Sequence, residues 1–189
     1  MRRLLSPLPV IALAVALPAC GNDKTDVPET GTIPAPKGFR DANYPKDGIF
    51  LRVPTNWRVV PGDAPQIVTI AAGDGQIAVW RFPRKEPLPE TAPQLGAALA
   101  ALIQQVRKRD PTFQVRSSRI VRKRQLNAVE IVGVGTNQGK KRSQRSLHAY
   151  AHGAEVVVDG FTPVKQFKRV DEQTLARVAR SLKVAKPAP

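Results

Sequence analysis

Few side chains in this 189-residue sequence could do chemistry, and their spacing decides which chemistry is open. Cys20 is the only cysteine, so neither an internal disulfide nor a cysteine zinc cluster can form. His148 and His152 lie four apart on a predicted strand, on one face but about 13 Å apart at roughly 3.3 Å per residue, too far to chelate one ion. A histidine base needs an oriented nucleophile, and the chain has no Gly-x-Ser-x-Gly elbow and no His-Glu-x-x-His motif. Residues 49–189 hold ten carboxylates, of which only Asp171 and Glu172 are adjacent, a placement suited to a helix N-terminus. No catalytic residue, metal or cofactor is therefore expected. His148, Tyr150 and His152 read as a polar, half-buried sheet face, and Trp57 and Trp80 as core or edge aromatics.

Cys20 has a different setting. Arg2 and Arg3 precede an apolar run from Leu4 to Ala19, and a small residue stands directly before the cysteine, which together read as an export signal. Pro7, Pro9 and Pro18 break the run, which is shorter than the roughly 18–20 residues of a membrane-spanning helix. Leu17-Pro18-Ala19-Cys20 resembles a bacterial lipobox, which implies a cysteine thiol joined to a diacylglycerol and a mature chain that starts at Cys20. Residues 1–19 are then a lipoprotein signal peptide. From Cys20 to about residue 43 the chain is rich in Pro, Gly, Asp and Lys and poor in large apolar side chains, and reads as a flexible tether. An edge-packed segment around Tyr44 and Pro45 is the alternative for its last part. One domain is expected over residues 44–189.

Within that domain the periodicity predicts strands at 49–60, broken by a Pro turn, and a hairpin over 66–82 turned by Gly73-Asp74-Gly75. Thr91 and Gln94 match a capping box. Leu95, Leu99, Leu102, Ile103 and Val106 then recur at helical spacing until Asp110-Pro111. Four strands follow at 112–122, 128–136, 142–152 and 155–161, and a last helix starts from about Asp171 as N-cap. Pairing across Lys123–Leu126 sets Arg122 against Asn127, Arg119 against Glu130, Val121 against Ala128 and Val115 against Val134, which makes Glu130 a structural ion-pair partner. Strands, helix, strands, helix argue for an α+β domain with an antiparallel sheet flanked by helices.

The order of elements, with "FLRVPTNW" at the start, "QRSLHAYAHGAEVVVDGFTP" as the late hairpin, Phe167 and the closing "ARSLKV", resembles the PsbP-like domains of bacterial lipoproteins of the LpqN type over about residues 44–184. That resemblance implies an antiparallel sheet sandwiched by helices and a binding or accessory role in place of an enzymatic one. It carries no ligand residues onto this chain.

Charge supplies the remaining functional signal. The formal net charge is +15, and half of the basic residues in 49–189 lie between 107 and 145, where Asp110 and Glu130 are the only acids. Arg122, Lys123, Arg124, Lys140, Lys141, Arg142 and Arg145 are the candidate anion-binding surface, the first three at one end of the strands and Lys140 to Arg142 at the other. Export and the single aromatic of that window, Phe113, argue against nucleic acid. The expected partners are the membrane, through the lipid, and an anionic lipid, acidic envelope polymer or acidic protein. The location is the extracytoplasmic face of the cell membrane. A carrier of an apolar ligand, in a pocket lined by Leu95, Leu99, Ile103 and the strands 128–136 and 155–161, is the second reading. Cys20→Ala is expected to abolish lipidation and leave the precursor unprocessed. Detergent partitioning measures this, and normal membrane retention of the variant contradicts it.

Overall fold

The computed structural model describes residues 31–123, 126–137 and 139–188, with the backbone alone at Lys123. The export signal, Cys20, most of the tether and Arg124 lie outside the described residues. In chain order the elements are β1 (Phe39–Tyr44), β2 (Ile49–Pro54), β3 (Arg58–Pro61), β4 (Gln66–Ala72), β5 (Gly75–Pro83), α1 (Ala92–Arg109), β6 (Gln114–Lys123), β7 (Leu126–Asn137), β8 (Lys140–Ala151) and β9 (Ala154–Pro163). A closing segment follows, made of α2 (Phe167–Val170), a π-helical turn (Asp171–Leu175), α3 (Ala176–Ser181) and β10 (Lys183–Val184).

Alternating side chains give these strands two faces, and both are covered. A seven-stranded antiparallel sheet runs β3-β4-β5-β9-β8-β7-β6, and β1-β2-β10 forms a smaller sheet. On one face the closing helical segment and β2 bury Val170, Leu175, Val178, Ile49, Leu51 and Val53 against Ile70, Ile77, Val79, Val156 and Val158. On the other, α1 lays Leu95, Leu102 and Val106 on Val129 and Ile131. β7 is buried from both sides, as its apolar run requires. The domain is thus the α+β architecture expected, an antiparallel sheet flanked by helices.

Helix α1 begins where the capping box predicts. Thr91 Oγ1 accepts from the N–H of Gln94 at 3.4 Å, and Gln94 Oε1 accepts from the N–H of Thr91 at 2.9 Å. The β6–β7 ladder pairs Arg122 with Asn127, Val121 with Ala128 and Arg119 with Glu130. Val115 sets against Gly133, one residue away from the expected Val134, because a bulge at Arg116 inserts an extra residue between Val115 and Ser117.

Three boundaries differ from the sequence reading. The packed chain begins before Tyr44: β1 pairs with β2 along its whole length, and Ile33 is fully buried in the main core. Pro- and Gly-rich composition hides this, since one isoleucine and one six-residue edge strand suffice to seat the segment. The closing helix begins at Phe167, so Asp171 is no N-cap but an interior residue of a continuous helical stretch. β8 stops at Ala151, and His152 (φ 49°) with Gly153 (φ 68°) forms a tight turn with two positive φ angles.

Gly160 on β9 lets the π-turn approach the sheet, since a Cβ there would stand 2.8 Å from Leu175 Cδ2. Gly160→Ala is expected to cost about 1–3 kcal/mol by overpacking. Urea unfolding measures it, and an unchanged midpoint contradicts the close approach.

Candidate functional site

The predicted cations fall into three environments. Arg122 is exposed near the β6–β7 turn. Lys140 and Lys141 are exposed at the β7–β8 turn, while Arg142 is half-buried and donates from Nη1 to the carbonyl of Asp74 at 3.2 Å. Lys140 and Arg142 both make further interactions. Twelve residues of β7 separate the two ends, roughly 35 Å at about 3.3 Å per residue, well beyond the Debye length of about 8 Å. The clusters therefore act separately.

The lysine end is larger than the sequence suggests. Asp110, just past α1, accepts the N–H and the hydroxyl of Thr112 through Oδ1 at 2.9 and 2.6 Å, and the N–H of Thr136 through Oδ2 at 2.7 Å. The Thr112 hydroxyl bond, then the Thr136 N–H, holds its carboxyl below the ordinary carboxylate range. Thr136 pairs with Lys141, so this hook brings the exposed Arg107, Lys108 and Arg109 of the last α1 turn to the same end as Lys140 and Lys141. Cations also suit a helix C-terminus.

Arg145 does not belong to an anion-binding surface, because it is spent inside the fold. Its side chain is only 12 % exposed. Nε and Nη2 donate to Asp171 at 2.6 and 2.7 Å, and Nη1 lies 2.7 Å from Glu130 Oε1. Burial opposes the guanidinium charge, but the bonds to Asp171 and Glu130 outweigh it and raise the pKa further. Glu130 also accepts from Arg119 Nε at 2.7 Å, the cross-strand pair the register predicts. Neighbours three to eleven residues apart could be guessed from the sequence; the clasp to Asp171 could not.

On the α1 side of the sheet lies a groove. The flank of α1 that faces β8, β9 and β5 carries Ala97, Ala98 and Ala101, too short to fill the gap, and a second stretch opens past Leu102 towards Trp80, Phe82, Val157 and Asp159. The two spaces measure about 320 and 350 Å³. The expected pocket among Leu95, Leu99 and Ile103 is occupied instead by their own packing on Val115, Val129 and Ile131.

Three groove residues form a relay that the sequence reading missed. Ser146 Oγ lies 3.0 Å from His148 Nε2, and His148 Nδ1 lies 2.6 Å from Glu155 Oε1. Arg84 Nη1 donates to Glu155 Oε2 at 2.7 Å. The hydroxyl–imidazole–carboxylate order is that of acyl transfer. Its surroundings are not. Ser146 is 2 % exposed, β8 is paired on both sides, and Asp159 faces Ser146 in the β8–β9 ladder with a buried Oδ1 that has no hydrogen-bond partner. A carboxylate on the neighbouring strand lines the same groove as Ser146, which opposes the growth of negative charge there. A Ser two residues before a His on a strand, both pointing the same way, was the signal available. Among the described residues no group of three His, Cys, Asp or Glu could hold a metal ion, and no helix is long and apolar enough to cross a membrane.

Burial, then the Glu155 charge, pushes the Tyr150 phenol up to about 12. Burial also pushes the Glu155 carboxyl up, but the bond and charge of His148 and the charge of Arg84 outweigh it and hold the pKa below the ordinary value. A depressed carboxyl stabilises the fold above its unfolded pKa of about 4.3, and that stabilisation is lost as pH falls through the lower folded value. His148→Ala is therefore expected to move acid unfolding to higher pH, read by circular dichroism; an unmoved transition contradicts the relay. Arg145→Met leaves Glu130 and Asp171 without their shared partner. A loss of about 3–5 kcal/mol is expected in urea, and a loss below about 1 kcal/mol contradicts the clasp.

No protein-family model and no curated protein matches this chain. Solved structures do. The cyanobacterial PsbP (CyanoP) of Synechocystis sp. PCC 6803 aligns at a TM-score of 0.61 with 13% identity, over 84% of this chain and 97% of that one. LpqN of Mycobacterium tuberculosis, described as involved in cell envelope biogenesis, aligns at 0.52 with 15% identity, over 78% and 91%. At such identities the likeness is one of architecture, and the chain has a PsbP-like fold.

Proposed function

We propose that the mature protein is a lipid-anchored binding module on the extracytoplasmic face of the cell membrane, without chemistry of its own, whose basic end docks on an anionic envelope component. One observation carries this reading: the chain leading back to Cys20 leaves the domain at the basic end. A Cβ on Gly73 would stand 2.8 Å from the carbonyl of Thr32, and the adjacent Asp74 accepts from Arg142, which follows Lys140 and Lys141. Gln166, just past β9, accepts the N–H of Ile33 at 3.0 Å, and β9 ends at Pro163 opposite Arg142. The β4–β5 turn, the start of β8, the end of β9 and the N-terminal segment therefore share one end of the sheet.

Ten residues lie between Cys20 and Gly31, a span of at most about 40 Å when fully extended. A lipid on Cys20 holds this end near the bilayer, where each Lys or Arg contributes about 1 kcal/mol of attraction to anionic headgroups. The two signals reinforce one another, since a single acyl chain gives only marginal binding. Export and the envelope role described for LpqN agree with this placement. The charge of Asp159 beside Ser146 supports a bracing, not a hydrolytic, use of the relay.

The carrier reading now rests on the α1 groove, whose Phe82 is 38 % exposed and whose volume of about 350 Å³ suits a small ligand. Native mass spectrometry that finds an apolar molecule retained there would favour it. For docking, the mature chain bearing Cys20→Ser is expected to sediment with anionic but not neutral vesicles at low salt. Lys140, Lys141, Arg107 and Lys108 changed together to Ser should weaken this at least tenfold. Equal sedimentation with neutral vesicles, or binding insensitive to salt, would falsify the docking.

A further inference from the structure

We infer that the outer edge of β6 accepts an extended acidic segment of a partner protein as an eighth strand, with the pattern acidic, any residue, apolar, acidic. The two edges of the large sheet differ in kind. β3 has four residues and ends in Pro61, a blunt edge. β6 has ten residues, no strand pairs with its outer side among the described residues, and Arg116 through Ile120 are all exposed. In an antiparallel ladder alternate residues turn their N–H and C=O away from the paired neighbour, so β6 offers a row of backbone groups to an incoming chain.

The side chains of β6 select the guest. Arg119 and Arg122 are exposed cations, and Ile120, at 38 % exposure, is among the most exposed large apolar residues. A second copy of β6 would bring guanidinium against guanidinium, and like charges opposite one another are destabilising. An acidic strand reverses that sign. In antiparallel addition the residues facing Arg122, Val121, Ile120 and Arg119 read acidic, any, apolar, acidic in the order of the incoming chain. Arg119 pairs with Glu130 on one face of the sheet, whereas Arg122 and Ile120 stand opposite Asn127 and Val129 and so share the other. The guest is held by charge from both faces and by the backbone between them. Ser117 and Ser118 leave room for close approach. β6 starts beside the basic end proposed to face the membrane, but Arg119 to Arg122 lie towards its far end, near the β6–β7 turn, so a docked module keeps that half of the edge open.

The test uses the mature chain with Cys20→Ser and a ten-residue peptide built on Glu-Thr-Val-Glu. Binding is expected, with slowed amide exchange at residues 116–122 by NMR, and at least tenfold weaker binding for a peptide of the same sequence with alternate amides N-methylated. Ile120→Ser should weaken the peptide at least tenfold and leave anionic-vesicle sedimentation unchanged. The four-residue change at the basic end should do the reverse, which separates failure here from failure of the docking reading. Absence of binding, equal binding of the N-methylated peptide, or binding without protection of β6 overturns the inference.

Discussion

A single guanidinium decides how the closing helical segment lies on the sheet. Arg145 reaches out of β8 and clasps Asp171 with two parallel bonds while its third nitrogen holds Glu130 of β7. Apolar burial of Val170, Leu175, Val178 and Leu182 drives the helical segment onto the sheet, but such burial is non-directional. A bidentate arginine–carboxylate pair is directional. It selects which turn of the helix meets which strand, and the π-turn at Asp171–Leu175 puts the carboxylate and the Leu175 side chain over Arg145 and Gly160, which face each other in the β8–β9 ladder. The net energy of such a buried pair against an apolar substitute is small, since desolvation offsets most of the attraction. Removing one member alone is costly, and the clasp therefore behaves as a lock on geometry more than as a store of stability.

That arrangement explains what could be read from the sequence. Local signals survived: the Thr91–Gln94 box, the alternating strands, and the hairpin register that faces Arg119 with Glu130, because each depends on residues a few positions apart. The bulge at Arg116 shifted the far end of that register, and no residue type announces it. Ile33 was hidden by the Pro- and Gly-rich residues around it, and it gains its place only because Trp57, Gly75 and Gln166 meet there from three distant parts of the chain. Asp171 looked like a cap because caps and interior aspartates share one side chain, and only the guanidinium 26 positions upstream distinguishes them. His148 was legible, with Tyr150 and His152, as part of a polar face, but its relay with Ser146 and Glu155 was not, since Glu155 joins from the next strand across a turn.

Net charge also had to be redistributed before it meant anything. Twelve cations lie between 107 and 145, with the two turn clusters a β7 length apart as the strand pattern suggests, but Arg145 is withdrawn into the fold. What concentrates charge is Asp110, an acidic residue. By holding Thr112 and Thr136 it fastens the end of α1 beside the β7–β8 turn, so three helix cations join Lys140 and Lys141. The field at that end is a product of the fold, and the N-terminal segment departs from the same place.

The groove beside α1 holds a hydroxyl, an imidazole and a carboxylate in the order a hydrolase uses, in surroundings of a different kind. Alanines on one flank of α1 leave space, and strand alternation aims Ser146, His148 and Asp159 into it. In a hydrolase the space beside the hydroxyl holds donors for a developing anion. Here the nearest ladder partner is a carboxylate with one unsatisfied oxygen, and the backbone of β8 is committed to β7 and β9. The electrostatics thus oppose a substrate that becomes negative at Ser146, and the contacts of His148 with Ser146 and Glu155 tie β8 to β9 along the floor of that groove.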